Sequence, residues 1–174
     1  MITTTFAALR KARACPEGYR KLAEHLGSVD AYGANTPIPV SVVLESNGLG
    51  DALWVLHNAA LEDVKPLMVT WACDCAERVL PVWEAKYPED RRPHDAVAAA
   101  RNWAANPCEE TQQAAADAAD AAAWAADDAR AYALVAYASY AAADAADYAS
   151  RAANYASRAD EREWQVNRLK ELLG

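Results

Sequence analysis

Residues 114–160 read AAADAADAAAWAADDARAYALVAYASYAAADAADYASRAANYASRAD. Twenty-five of these 47 residues are Ala, and neither Gly nor Pro interrupts them. Alanine loses no side-chain freedom on entering a helix and has the best helix propensity, so the tract is helical. At about 1.5 Å per residue an unbroken helix of this length would extend roughly 70 Å, more than a compact domain of this size spans. The tract therefore protrudes or folds back, and its pattern favours the fold-back. Asp117, Asp120, Trp124, Asp127 and Asp128 share one helical face, whereas Tyr137, Tyr140, Asp144, Asp147, Tyr148, Arg151, Tyr155 and Arg158 share a face rotated by about half a turn. The stripe jumps between Asp128 and Tyr137. One word, Ala-Ala-Ala-Asp-Ala-Ala-Asp, occurs at 114–120 and again at 141–147, and Tyr-Ala-Ser-Arg occurs at 148 and 155. Small residues on the flanks let helices approach closely, so a hairpin or layered array of Ala-rich helices is expected. Large residues return after Trp164, where Val166, Leu169 and Leu173 continue the face of Tyr148 and Tyr155 and mark the core side.

Outward from the tract, the sequence is punctuated by helix start and stop signals. Thr4 or Thr5 caps a first helix, Pro16 opens a second, and Gly27 closes it. In the second helix Tyr19, Leu22, Ala23 and Leu26 form a buried stripe opposite Arg20, Lys21 and Glu24. Residues 28–37 read as a loop. Pro39 opens a helix over 40–45, Ser46-Asn47-Gly48 breaks it, and an amphipathic run follows over 49–57. The β-branched Val42 and Val43 would also suit a strand, but no second run offers a partner, so no sheet is expected. Over 64–86, Leu67, Trp71, Cys75, Val79 and Trp83 form a buried face that Pro81 bends or breaks. Arg92-Pro93 starts the next helix, whose stripe is Ala96, Val97, Ala100 and Trp103, and Asn106-Pro107 ends it. The expected architecture is all-α: a multi-helix bundle or array with long Ala-rich antiparallel helices at the C-terminus. Residues 1–107 form a domain of short amphipathic helices on which an Ala-rich hairpin, 108–174, packs in one continuous fold.

The 174 residues suit one domain, or one domain with a helical appendage. Seventeen Lys and Arg against 25 Asp and Glu give a formal charge of -8, which argues against direct nucleic-acid or anionic-membrane binding and favours a basic partner. No stretch approaches the roughly 20 large apolar residues that span a bilayer. No apolar run follows the basic opening segment, so the protein is expected in the cytoplasm. Cys15, Cys73, Cys75 and Cys108 read as reduced, packed thiols. Cys73 and Cys75, two apart on a helix, point about 200° from one another and cannot close on one ion. His25, His57 and His94 lie on different elements without a ligand spacing, and Gly48-x-Gly50 lacks the rest of a phosphate loop. No metal or cofactor is expected.

The strongest charge feature is Glu109, Glu110, Asp117, Asp120, Asp127 and Asp128 without a base between them. A helix N-terminus accounts for the two glutamates. The aspartates repel one another along one face, so they serve either as a solubilising face or as a docking surface for a basic protein. Trp124 among them favours docking, as an aromatic anchor ringed by charge. Asp74 and Arg78, like Asp147 and Arg151, are spaced for an ion pair along their helix.

In the middle of the chain, Trp71-Ala-Cys-Asp-Cys-Ala-Glu-Arg-Val-Leu-Pro81, Glu84, Tyr87-Pro88-Glu-Asp90, Arg92-Pro93 and Ala98-Ala-Ala-Arg101-Asn-Trp103 precede the Ala, Asp and Tyr tract. This series, with the residues from about 49 to 173, resembles immunity proteins of bacterial polymorphic-toxin systems. The resemblance implies an all-helical, non-enzymatic protein that neutralises another protein. It also singles out Asp74, Glu77, Arg78, Asp90, Arg92 and Arg101 as a structural ion network that fixes the helices. The opening, Ala14-Cys-x-Glu-Gly-Tyr19 to Leu26-Gly27 with Ser46-Asn-Gly-Leu49 and Asp51-Ala-Leu-Trp54, is similar to proteins common in bacteriophages and prophages. Three readings follow. The first is an inhibitor or toxin immunity protein acting through the acidic helical surface. The second is a phage-encoded anti-defence protein, for example an anti-CRISPR or nucleic-acid mimic. The third is a structural module whose Ala-rich helices pair with a second copy as a homodimer.

Overall fold

A computed structural model describes residues 1–78, 80–123 and 159–174, which form ten helices and one two-stranded ribbon. They divide into two compact units: Met1–Val64 with Val166–Gly174, and Lys65–Gln165. The fold is all-α, and no described helix is long and apolar enough to cross a membrane.

The first unit opens with β1 (Thr3–Thr4) and α1 (Phe6–Lys11), where the Thr5 hydroxyl accepts from the Ala8 amide at 3.0 Å. Pro16 occupies the first turn of α2 (Pro16–His25), where its missing N–H costs no hydrogen bond. The Cys15 thiol caps this helix by accepting from the Gly18 amide at 3.3 Å. Only Leu22 of the expected stripe is fully buried; Tyr19, Ala23 and Leu26 are half-buried at its margin. Pro39 caps α4 (Val40–Asn47), and Gly48, at φ +95°, turns the chain into α5 (Leu49–Asn58) with a backbone conformation that favours glycine. The chain's one Phe lies at the centre of this unit: the fully buried Phe6 ring meets the edges of Tyr19 at 5.3 Å and Tyr32 at 6.2 Å. Ile38, Val40, Leu53 and Leu56 complete the core.

Two features of this unit depart from the sequence expectation. Residues 28–37 hold a helical turn, α3 (Val29–Tyr32), because the Ser28 hydroxyl caps the Ala31 amide at 3.0 Å and Tyr32 packs on Phe6. The absence of a sheet is corrected as well: β1 pairs antiparallel with β2 (Ile38–Pro39), Thr4 opposite Ile38. On its other edge the Thr3 carbonyl accepts from the Leu61 amide at 3.0 Å, and the Glu62 carboxylate accepts from both the Thr3 amide and hydroxyl, at 2.9 and 2.8 Å. The Thr3 backbone bond holds the Glu62 carboxyl below its ordinary pKa. The buried Thr4 hydroxyl donates to the Ala59 carbonyl at 2.7 Å. The opening residues are thus clasped from both sides.

The second unit contains α6 (Lys65–Glu77), α7 (Leu80–Lys86), α8 (Arg92–Ala105), α9 (Glu109–Ala123) and the start of α10 (Ala159–Leu173). In place of a single buried stripe, α6 buries Met68, Val69, Trp71, Ala72, Cys73, Cys75 and Ala76, and the expected Leu67 is only half-buried. A helix apolar nearly all round belongs inside a protein. The Trp71 indole N–H donates to the Gln165 carbonyl at 3.2 Å, so the largest side chain of the helix is buried with its polar atom satisfied. The Gln165 side chain is buried too, and its amide has no hydrogen-bond partner among the described residues. The helical run ends at Glu77, and Pro81 occupies the second position of α7, where a helix tolerates it. Ala96, Val97, Ala100 and Trp103 form the buried face of α8, as the spacing predicts. The absence of large side chains at Ala96 and Ala100 lets α8 lie close to α6, where the Cys73 thiol faces the Val97 carbonyl at 3.9 Å. In α10, Leu169 and Leu173 are buried in the first unit. The tyrosine stripe, the expected hairpin turn and the Asp147 and Arg151 pair lie outside the described residues.

Candidate binding surface

Helix α9 begins where Asn106 and Pro107 stop α8. Thr111 organises this junction: its hydroxyl accepts from the Cys108 amide at 3.2 Å and lies 2.8 Å from the Asn106 carbonyl. The Gln112 amide donates to the Cys108 carbonyl at 3.0 Å, which closes the first turn. Glu109 and Glu110 follow, exposed, at the positive end of the helix dipole. Asp117 is exposed two turns on and accepts from Gln113 Nε2 at 2.8 Å. Asp120 lies three residues further along the same helix, while Trp124, Asp127 and Asp128 lie outside the described residues. Glu109, Glu110 and Asp117 are therefore solvent-facing.

The cysteines divide into two classes. Burial pushes the Cys73 thiol up to about 12 and raises Cys75 as well, so both are protonated and shielded. Cys15 and Cys108 are exposed, and the expectation that all four are packed is corrected for these two, which stand at the openings of α2 and α9. The Thr111 hydroxyl beside Cys108, 3.3 Å from its sulfur, holds that thiol below the ordinary value.

The six positions of the ion network fall into three arrangements. Arg101 of α8 forks onto both oxygens of Glu77 at 2.7 Å each and reaches Asp74 with the same guanidinium, which ties α8 to α6. These carboxylates raise the pKa of Arg101 further. Arg78 reaches Glu161 with 2.9 and 3.1 Å contacts and lies 4.3 Å from the centre of the Trp164 ring, which ties the end of α6 to the start of α10. Asp90 and Arg92 form a local pair at the start of α8, with contacts of 2.7 and 2.8 Å, and this pairing keeps the Asp90 carboxyl below its usual range. Asp74 and Arg78, spaced for a pair along one helix, thus each bond to a different neighbouring helix. Glu161 and Trp164 escaped the sequence reading: their spacing shows that they share a helix face, and nothing in it names a partner 83 residues away.

Where α8 meets α9 the surface opens into a cleft of about 620 Å³, lined among the described residues by Trp103, Pro107, Cys108, Glu109, Gln112 and Gln113. Trp103, at its floor, is only 6% exposed. Among the described residues no group of three or more His, Cys, Asp or Glu is placed to hold a metal ion. The exposed side chains here are carboxylates and amides, Glu109, Glu110, Gln112, Gln113 and Asp117.

A family model described as Imm-5 like putative immunity protein matches residues 60–172. No curated protein and no solved structure matches the chain.

Proposed function

The chain belongs to the Imm-5 like immunity protein family, and on that premise we propose that it is a stoichiometric, non-catalytic inhibitor that neutralises a basic protein toxin of a bacterial polymorphic-toxin system. The toxin docks on the acidic run Glu109, Glu110, Asp117, Asp120, Asp127 and Asp128, with Trp124 as the aromatic anchor. The observation that carries this reading is that the described carboxylates at the start of α9 face solvent inside the family-matched stretch, on a segment without a base. Such a surface draws in a cationic partner faster than diffusion alone and repels nucleic acid. The aspartates' mutual repulsion is then relieved in the complex.

The test uses the toxin captured with this protein from its native host and then purified. Changing Asp117, Asp120, Asp127 and Asp128 together to Asn should lower affinity by about 2–4 kcal/mol, steepest at low salt, and remove protection of toxin-expressing cells. Trp124→Ala should cost more than any single aspartate. Unchanged affinity and protection in the quadruple variant would reduce the run to a solubilising face.

A second reading draws on the opening residues. Positions 1–59 fall outside the family match, and the motifs between Ala14 and Trp54 that resemble phage and prophage proteins favour a phage-borne inhibitor of a host defence protein acting through the same surface. Protection of an infecting phage, without protection against the toxin, would select it.

A further inference from the structure

We propose that the corner where α1 meets α2 is a basic docking surface and that its occupant is the acidic start of α9 on a second copy of this chain. The inference goes beyond toxin binding and needs no toxin; it requires only that both surfaces be exposed. Five of the 17 Lys and Arg, namely Arg10, Lys11, Arg13, Arg20 and Lys21, fall between residues 10 and 21 with one acid, Glu17, among them. Residues 22–64 of the same unit hold six acids and no Lys or Arg. All five bases are exposed. The dipole of α1 favours Arg10 and Lys11 in its last turn, and Arg20 lies 3.8 Å from Glu24 on its own helix. Among the described residues no carboxylate pairs with Lys11, Arg13 or Lys21.

Two features of the corner are better suited to presenting charge than to holding the fold. Arg13 closes α1 in the left-handed region, at φ +61°, with the Ala14 amide returning to the Leu9 carbonyl at 2.9 Å. Helix α2 is closed by Gly27 at φ +92°, the residue that enters this region without cost. An arginine at the equivalent place gives up stability that a glycine would keep. Arg10 is set in position: its guanidinium donates to the Tyr19 hydroxyl at 3.2 Å and lies 5.8 Å from the ring centre, which fixes one charge between the two helices. The complementary surface is on the same molecule. Glu109, Glu110 and Asp117 are exposed, and no Lys, Arg or His occurs from residue 102 to residue 129. Three unpaired bases thus face three carboxylates. A long polyanion such as duplex DNA fits less well, because beyond Lys21 it meets only the acids of residues 22–64. At physiological ionic strength charges more than about 8 Å apart are screened, so the local match decides the contact rather than the like net charge of the two copies.

Sedimentation equilibrium of the full-length protein tests this. At about 0.1 M salt the mass should rise with protein concentration, and near 1 M, where the screening length is only about 3 Å, it should return to the monomer. Two charge reversals sharpen the test: Lys11→Glu with Arg13→Glu and Lys21→Glu, and Glu109→Lys with Glu110→Lys and Asp117→Lys. Each variant then carries two surfaces of one sign and should be monomeric alone, whereas a mixture of the two should associate. Should a reversal fail to fold by circular dichroism, Gln at the same three positions gives the corresponding readout, loss of association. Arg13→Gly separates charge from structure: it should raise the urea midpoint while weakening association by about threefold, and a purely structural arginine would move only the first. A wild-type monomer at every concentration, or folded reversal variants that ignore one another, would overturn the proposal. So would a salt-dependent compaction independent of concentration, which places the contact within one chain. Binding of a duplex DNA probe that the corner variant loses, without self-association, would make the corner a nucleic-acid surface instead. The toxin is absent from every arm, so its docking stands or falls separately.

Discussion

Helices α6 and α9 have nearly the same length, 13 and 15 residues, and opposite fates. In α6, Met68, Val69, Trp71 and two cysteines are buried, and its charged end is bonded to α8 and α10. After its first turn α9 is built from Gln, Ala and Asp; Ala115 is buried against α8, but Asp117, Gln112 and Gln113 face water. The first helix is held by the large side chains it buries; in the second, alanine's helix preference and a capped opening add to the packing of Ala115 on α8. An alanine face removes little apolar area from water, so the opposite face of such a helix is free to carry charge that a packed helix could not tolerate. The apolar side chains that α6 buries are large, and those of α9 are alanines.

The sharpest test of that contrast is Trp71→Ala, which removes the largest fully buried side chain together with its N–H bond to the Gln165 carbonyl. It should destabilise the protein by about 3–5 kcal/mol in urea unfolding; a loss near that of a surface substitution would break the contrast. Next, Arg101→Ala should cost about 1–2 kcal/mol, because Asp74, with a side chain only 10% exposed, loses its guanidinium while the more exposed Glu77 is rehydrated. Arg101→Lys should recover only part of it, since an ammonium cannot fork across two carboxylates. Alkylation reads the same contrast chemically: Cys108 should react in the native state, with a pH profile that rises below the ordinary thiol value of about 8.5, whereas Cys73 and Cys75 should stay protected until urea exposes them. The smallest effect belongs to Asp117→Ala, expected within about 0.5 kcal/mol of wild type in the same urea experiment. A larger loss there would mean that α9 also holds the fold together.

Much of the fold was legible because helices announce their ends. Thr5, Pro16, Gly27, Pro39, Gly48, Pro93 and Asn106 delimit helices as their chemistry predicts. The β1–β2 ribbon was not legible: two-residue strands show no period, and the partner of Ile38 precedes the first helix. Likewise α3 hides in a polar stretch, and only its packing on Phe6 gives it a reason to form. Four-residue spacing in α6 suggested a stripe, but whether such a helix is buried on one side or all round depends on neighbours that are distant in sequence. The same distance hid the pairing of Arg78 with Glu161. For the candidate site, charge and exposure at the start of α9 followed from residue types, whereas the cleft depends on how two helices meet, which no local pattern encodes.

The clasped opening strand and the close of α10 bear on inheritance. The family match begins at residue 60, yet Leu169 and Leu173, near its other end, are buried in a unit otherwise made by Met1–Val64. Recombination near residue 60 would give an incoming segment a C-terminal helix end whose cover it did not evolve with. A substitute for the family segment would therefore have to keep the Leu169 and Leu173 face that the first unit buries.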